Sequence, residues 1–384
     1  MKKVLVIHTK YQNLGGEDIA VENEVAFLEK NYNVEVLYFS NNIKNFTSLV
    51  LALFFNYNFQ SNKKVFYMMT TFRPDVVYIH NLWFAGSLGI FKILNKFDSK
   101  VILKLHNFRY YCTKSFFSSS HFNGDRPCNA CGISNKKNRL FNKYYKDSYI
   151  KSFLVNRFGK KYIKILREFN LKILVLTEFH NKFIQDLNID SLKVFTSRNP
   201  LKEVMVKSND LVEDYIIYAG RISNEKGVEE LISSHANSNI KNIVLKVVGD
   251  GPDLEYLSNK YKSKNVEFLG YKSNNQVLDL IKNSIAVITA TKLFEGQPTI
   301  LCEASMLGVP SIFPSTGGIS EFYPENYPLQ FKQHDYEDLI LKLNLLSDKE
   351  LLKIWSVENK KYIEQLLSPN TIYNQLEKII NYGS

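Results

Sequence analysis

Tyr215-Ile216-Ile217-Tyr218-Ala219-Gly220-Arg221-Ile222-Ser223-Asn224-Glu225-Lys226-Gly227 runs a short apolar stretch straight into a loop framed by glycines. An apolar run that ends in glycine reads as a buried parallel strand, covered by helices on both faces and so lacking polar alternation. Downstream the rhythm continues, with Ile243–Val248, Val266–Leu269, Ala286–Thr289 and Pro310–Phe313 as further strands. Upstream, Val4–His8, Val34–Phe39, Val76–His80, Val101–Leu105 and Ile173–Leu176 form an earlier series, apolar nearly throughout. Most of these runs are separated by stretches long enough for a crossover helix. Two successive β-α-β series predict an α/β chain with two doubly wound, Rossmann-like sheets. The 384 residues agree, being too many for one ordinary core and suited to two domains of roughly 150–200 residues. Arg198-Asn199-Pro200 and the polar residues after it mark the boundary, giving domains over 1–200 and 201–366. In a closing segment over 367–384, Pro369 starts a helix from Asn370 to Tyr382 whose Ile372, Leu376, Ile379 and Ile380 need a surface to cover.

Open parallel sheets bind ligands outside the carboxyl ends of their strands, so the chemistry is sought in the loops that follow strands. After the first strand, Tyr11-Gln12-Asn13-Leu14-Gly15-Gly16-Glu17 precedes a helix; paired glycines let backbone approach a ligand, and free helix-start amides favour an anion. Any tight turn can use glycine in the same way. Arg221 and Lys226 are two cations five residues apart, able to converge on a diphosphate or, more simply, to pair on the surface with Glu225. Glu295 and Glu303 are the sharpest pair, in Phe294-Glu295-Gly296-Gln297-Pro298-Thr299-Ile300-Leu301-Cys302-Glu303-Ala304. Gly296 and Pro298 open a helix there, and Glu303 falls inside it among Ile300, Leu301, Ala304 and Met306. A carboxylate among apolar neighbours is costly without partners, and sugar or ribose hydroxyls would be suitable ones. His80 and His106 each end a strand, in His80-Asn81 and in His106-Asn107-Phe108-Arg109. One strand-end histidine is commonly structural; two beside asparagines on one sheet point to a shared site.

Composition narrows the class. The apolar fraction of 45% is that of a globular chain, and no run approaches the ~20 apolar residues that cross a bilayer. The longest, Leu49 to Phe55, reads as a buried helix, and the chain reads as cytoplasmic. Net charge is +11, concentrated between Lys136 and Arg167, where eleven cations interleave with seven aromatic residues and face only Asp147. This basic, aromatic segment over 136–167 suits an anionic membrane surface, which would place the protein on the inner face of the cell membrane; a solvated helix face is the other reading. No nucleic-acid motif accompanies it. Four cysteines are too few for a disulfide scaffold. Cys112, Cys128 and Cys131, with His121 between, read either as a zinc clip or as free thiols in a long loop.

Together these stretches resemble the family-4 retaining glycosyltransferases of the GT-B fold, group 1 enzymes of bacterial polysaccharide and lipopolysaccharide synthesis. Gly220-Arg221 with Lys226-Gly227, followed some seventy residues later by Glu295-x7-Glu303, is the specific part. Gly15-Gly16-Glu17, His80-Asn81, Leu105-His106-Asn107, Thr196 to Pro200, Val248-Gly249-Asp250-Gly251-Pro252, Gly308-Val309-Pro310 and Gly317-Gly318 support it in the expected order. The resemblance implies two domains facing a central cleft, with the last helix returning to the first domain. Arg221, Lys226 and the Gly16 amide would bind the donor diphosphate. Glu295, with Gly296 and Gln297, would contact the transferred sugar, Glu303 would hold the ribose hydroxyls, and His106 would lie near the reacting carbon. His80, Asn81, Asn107 and Arg109 would fall on the acceptor side. The insert over 108–137 resembles a cysteine-bearing insertion of some bacterial members and would shape the acceptor site. Glu295-Gly296-Gln297 replaces the commoner Glu-Gly-Phe/Leu.

The expected reaction moves a hexose-type sugar from a UDP- or GDP-linked donor to a glycan or lipid-linked acceptor. Arg221 and Lys226 supply the charge that other glycosyltransferases take from a metal, and no Asp-x-Asp motif stands at a strand end, so neither metal nor cofactor is expected. A nucleotide-sugar epimerase of the same fold and a non-catalytic subunit binding nucleotide sugar or membrane are the competing classes. Gly-Arg…Lys-Gly fits the epimerase poorly, and four intact charged residues argue against the subunit.

Overall fold

The computed structural model describes residues 1–11, 16–41, 52, 54–112, 148–202, 214–262 and 265–382. Contacts divide the chain into two compact units, Met1–Pro200 with Ile372–Ser384 and Leu201–Thr371.

The first unit holds six parallel strands: β1 (Lys3–Lys10), β2 (Asn33–Ser40), β3 (Val76–Ile79), β4 (Lys100–Leu105), β5 (Lys172–Val175) and β6 (Val194–Thr196), in the order β2-β1-β3-β4-β5-β6. The order reverses between β1 and β3, so loops leaving those two strands diverge and open a crevice at their carboxyl ends. β1 and β3 are buried along most of their length, as strands covered on both faces must be. β2 is an edge strand and stays half-exposed, contrary to the nearly all-apolar reading. One face of the sheet packs Val4, Val6, Val76, Tyr78, Ile102 and Leu174 against Val21, Val25 and Leu28 of the helix Gly16–Leu28 and against Leu376, Ile379 and Ile380 of the helix Pro369–Asn381. The apolar stripe of the last helix finds its surface there.

Another group of helices is knitted together by contacts of its own. Trp83 and Phe158 rings lie 4.8 Å apart, Phe91 and Phe169 rings 5.0 Å apart, and Ser87 Oγ donates to the Asn56 carbonyl at 2.8 Å. This joins Phe59–Thr71, Ile90–Leu94 and Tyr149–Glu168. Tyr149–Glu168 is the described part of the basic, aromatic segment. The Leu49 to Phe55 reading needs correction where it can be seen. Phe54 and Phe55 are helical but 44% and 60% exposed, while Ala52 is buried, so the described part of that stretch turns its two large rings outward.

The second unit repeats the plan with β7 (Tyr215–Ala219), β8 (Val244–Val248), β9 (Val266–Gly270), β10 (Ala286–Ile288), β11 (Ser311–Ser315) and β12 (Gln330–Lys332), ordered β12-β11-β10-β7-β8-β9. Read from β9 this is the strand order of a dinucleotide-binding sheet, and its reversal lies between β7 and β10. All its pairings are parallel. No helix of the described residues is long and apolar enough to cross a membrane.

Candidate functional site

In the second unit the loops after β7 and β10 meet at the reversal of strand order. Gly227 takes φ +67°, and a Cβ built there would stand 2.0 Å from the Ala290 carbonyl oxygen. Only glycine lets the β7 loop come this close to the end of β10. The approach is fastened by Lys292 N–H donating to the Glu225 carbonyl at 3.0 Å. It brings Lys226 Nζ to Glu295 Oε1 at 2.5 Å, and Thr291 Oγ1 donates to the same oxygen at 2.9 Å. Glu295 is also held through its backbone. Gly318 N–H donates to its carbonyl at 2.9 Å, and Gly317, at φ +58°, passes so near that a Cβ would lie 2.3 Å from that oxygen. The loop after β11 thus grips the loop after β10, and the glutamate that sequence reasoning picked has a fixed place.

Arg221 follows β7, where Tyr218 Oη donates to its carbonyl at 2.7 Å. Its side chain is exposed and, among the described residues, pairs with neither Glu225 nor any other acid. Glu303 sits in the helix Thr299–Met306, behind Gly296, Gln297 and the capping Pro298. It is 6% exposed, and burial pushes its carboxyl up to about 7 against the opposing pull of a hydrogen bond with Asn274. Lys226 and Glu295 touch each other; Arg221, on the loop after β7, and Glu303, in the helix after β10, make no direct bond to that pair among the described residues.

In the first unit the sequence pointed to His80 and His106, and the two rings stack with Nδ1 of His80 2.8 Å from Nε2 of His106. Burial, then the neighbouring histidine and the Lys104 ammonium, hold the His106 imidazole well below its usual range; burial and Lys104 do the same to His80. Both are therefore neutral at physiological pH. Asn107 Nδ2 donates to Glu17 Oε2 at 2.9 Å, Tyr11 Oη to the same oxygen at 2.6 Å, and Arg109 lies over the Tyr11 and Trp83 rings. Asn81 turns inward and donates to the Thr9 carbonyl at 3.0 Å. Gly16, at the start of its helix, has open space where a Cβ would stand. Glu17, His80, Asn81, Trp83, His106 and Arg109 line a cavity of about 20 Å³, room for roughly one water. Another hollow of this unit, about 660 Å³, opens between Lys2, Arg73, Asp75 and Lys100 at the amino ends of β3 and β4, opposite the strand ends where open parallel sheets bind their ligands.

Sequence reading missed a network beneath the histidines. Lys104 on β4 is fully buried and donates to Glu24 Oε1 at 2.7 Å, where Tyr78 Oη also donates at 2.7 Å. His8 Nε2 lies 2.8 Å from Asp18 Oδ1, again buried. A signal was available, since Lys104 is the one charge in Val101-Ile102-Leu103-Lys104-Leu105. Glu24, His80 and His106 bring donor atoms within 4.8 Å of one another. The ammonium already bound to Glu24 fills the place a dication would need, so the set fits a hydrogen-bonded network better than a metal centre. Cys112 is buried; Cys128, Cys131 and His121 lie outside the described residues, as do residues 136–147 of the basic segment.

Residues 203–362 match the family model for glycosyl transferases group 1, a stretch lying within the second unit. A putative teichuronic acid biosynthesis glycosyltransferase of Bacillus subtilis (strain 168) is 30% identical over 139 residues, 36% of this chain and 34% of that protein. The match thus spans about a third of the relative's length. Among solved structures, Anabaena Alr3699/HepE in complex with UDP and glucose superposes with a TM-score of 0.69 at 13% identity, covering 98% of this chain and 99% of that one. Sucrose-phosphate synthase from Thermosynechococcus elongatus gives 0.73 at 13% identity, covering 99% and 98%. The lipopolysaccharide outer core galactosyltransferase WaaB in its apo form gives 0.65 at 18% identity, covering 98% and 99%. At these identities the likeness is one of fold, and the fold is GT-B.

Proposed function

We propose that the chain is a retaining glycosyltransferase that moves a hexose-type sugar from a nucleoside diphosphate sugar to a glycan or lipid-linked acceptor in surface polysaccharide synthesis. The observation that carries this reading is the Lys226–Glu295 contact at 2.5 Å, built at the reversal of strand order from loops of β7, β10 and β11. A cation beside a backbone-clamped carboxylate matches a donor whose phosphate needs positive charge and whose sugar offers hydroxyl donors. Lys226 and the exposed Arg221 guanidinium would neutralise the departing diphosphate, with the Gly16 amide assisting. Glu295, beside Gly296 and Gln297, would accept from the sugar hydroxyls, and Glu303 from the ribose diol. The group 1 match over 203–362 supports the donor class. UDP in one neighbour and the teichuronic acid and lipopolysaccharide names of others favour a UDP-linked donor and a cell-surface glycan.

In this reading the bond from the anomeric carbon to the diphosphate oxygen breaks as the acceptor oxygen bonds the same face of that carbon. The acceptor proton passes to the leaving phosphate. A neutral His106, fixed by His80, would hydrogen-bond the sugar beside the reacting carbon without adding charge to an already electron-poor centre. The two cations meet the charge developing on the leaving group, so the step is expected to need no metal. Asn107 and Arg109 would fall on the acceptor side.

Glu295→Ala is expected to lower transfer by two to three orders of magnitude, in the range of a lost preorganised contact, while the melting transition stays cooperative. The measurement is acceptor-dependent release of nucleoside diphosphate. Turnover equal to that of the unaltered chain would remove Glu295 from the site.

A further inference from the structure

The layer of helices joined around Trp83, Phe91 and Asn56 turns an apolar and basic surface to solvent. Where the chain passes from β2 to β3, Phe54, Phe55, Phe59, Phe66 and Tyr67 are 44%, 60%, 66%, 46% and 63% exposed. On the helix Tyr149–Glu168, Ile150 is 68% exposed. These belong to one surface, because Lys161 Nζ on that helix donates to the carbonyls of Phe55 and Asn56 at 3.4 Å each.

Cations stand among the rings. Lys63 and Lys64 are exposed on Phe59–Thr71, and Lys151, Arg157, Lys160 and Lys164 are exposed along Tyr149–Glu168. No Asp or Glu occurs from Phe54 to Arg73, and the long helix has one acid, Glu168, placed 3.7 Å from Lys164. A second copy of this chain on the same patch would set cation against cation. Four phenylalanines and an isoleucine offer hydrocarbon rather than hydrogen-bonding edges, which favours an oily partner with an anionic rim.

We propose that this face docks on an anionic lipid bilayer, the rings entering the boundary between headgroups and acyl chains and the lysines meeting lipid phosphates. The basic helix alone admits a solvated-face reading; the exposed rings of Phe54 to Tyr67, on a separate stretch of sequence, do not. The proposal stands apart from the sugar-transfer reading, since lipid alone is the ligand.

The test is flotation of the full chain with vesicles of phosphatidylcholine, or of an equal mixture of phosphatidylcholine and phosphatidylglycerol. The chain is expected to float with the mixed vesicles only, less so as salt rises. At about 1 kcal/mol for each cation near the surface, replacing Lys151, Lys160 and Lys164 by Gln should weaken binding by about two orders of magnitude. Phe55→Ser with Phe59→Ser should weaken it even where salt has removed the electrostatic part. Lys349, Lys353 and Lys361→Gln, the same charge change on an exposed helix of the second unit, should leave flotation unchanged. Failure of the unaltered chain to float, or equal losses in both lysine variants, overturns the proposal. So does a soluble oligomer that the phenylalanine variant disperses, or an oligonucleotide that binds in place of lipid.

Discussion

Glu303 is the side chain whose charge state the fold leaves open. Its carboxyl titrates near 7 because it is buried in the helix Thr299–Met306 with Asn274 as its hydrogen-bonding partner. The folded chain therefore binds this proton more tightly than the unfolded one. Its contribution to stability is full below pH 4.5 or so, declines as pH rises, and is gone above about 7, a span of order 3 kcal/mol. Ribose hydroxyls donating to Glu303 would favour the ionised form, so nucleoside diphosphate binding at neutral pH should release a proton. Calorimetry of UDP binding in two buffers of different ionisation enthalpy reads this directly, and Glu303→Gln should abolish the buffer dependence. No release, or uptake, would separate Glu303 from the ribose. The sequence exposed this residue because its neighbours Ile300, Leu301 and Ala304 left no place for a charge. It hid the partners of Lys104 and His8, since Glu24 and Asp18 lie in the helix Gly16–Leu28 among other acids and apolar residues, with no periodicity to mark them as buried.

At the scale of elements, the site rests on loops that pass within van der Waals distance of each other. Strand ends and glycine turns were legible because apolar runs stop abruptly at Gly220, Gly249 and Gly270. β6 and β12 were not, being three-residue edge strands without a run long enough to show a period. Nor could pattern show that Phe54 and Phe55 face outward, since an apolar run carries no sign of which neighbour is missing. The close approach at Gly227 makes a test of the element pair. Gly227→Ala must relieve both a left-handed φ and a Cβ placed 2.0 Å from the Ala290 oxygen, so the β7 loop has to withdraw from β10. A stability loss of several kcal/mol is expected, in the range of strained backbone combined with overpacking. UDP affinity should fall as Lys226 leaves Glu295. A variant that melts normally and binds UDP unchanged would show that the loops need not touch.

Across the whole molecule, the chain leaves the first unit at Pro200, completes the second, and comes back as Pro369–Asn381. The periodicity of Ile372, Leu376 and Ile379-Ile380 announced a buried stripe, and resemblance supplied its destination; spacing alone could not, because the surface it covers is built from strands and a helix of the first unit, far earlier in the sequence. The return is fixed by more than hydrophobic contact. Lys172 Nζ donates to the Ile379 carbonyl at 2.5 Å and Lys100 Nζ to the Ile380 carbonyl at 2.9 Å, so cations at the starts of β5 and β4 satisfy the open end of the helix. Tyr32 Oη donates to Glu377 in the same region. The first unit is therefore complete only after the second has been made. Leu376→Ala empties a site among Val4, Val6, Val25 and Tyr78 and should cost about 2–5 kcal/mol. That loss belongs to the first unit. Limited proteolysis should cleave the variant within residues 1–200 at a lower temperature than the unaltered chain, while fragments of 201–371 persist. Earlier cleavage inside 201–371 instead would mean that the closing helix stabilises the unit it leaves rather than the one it rejoins.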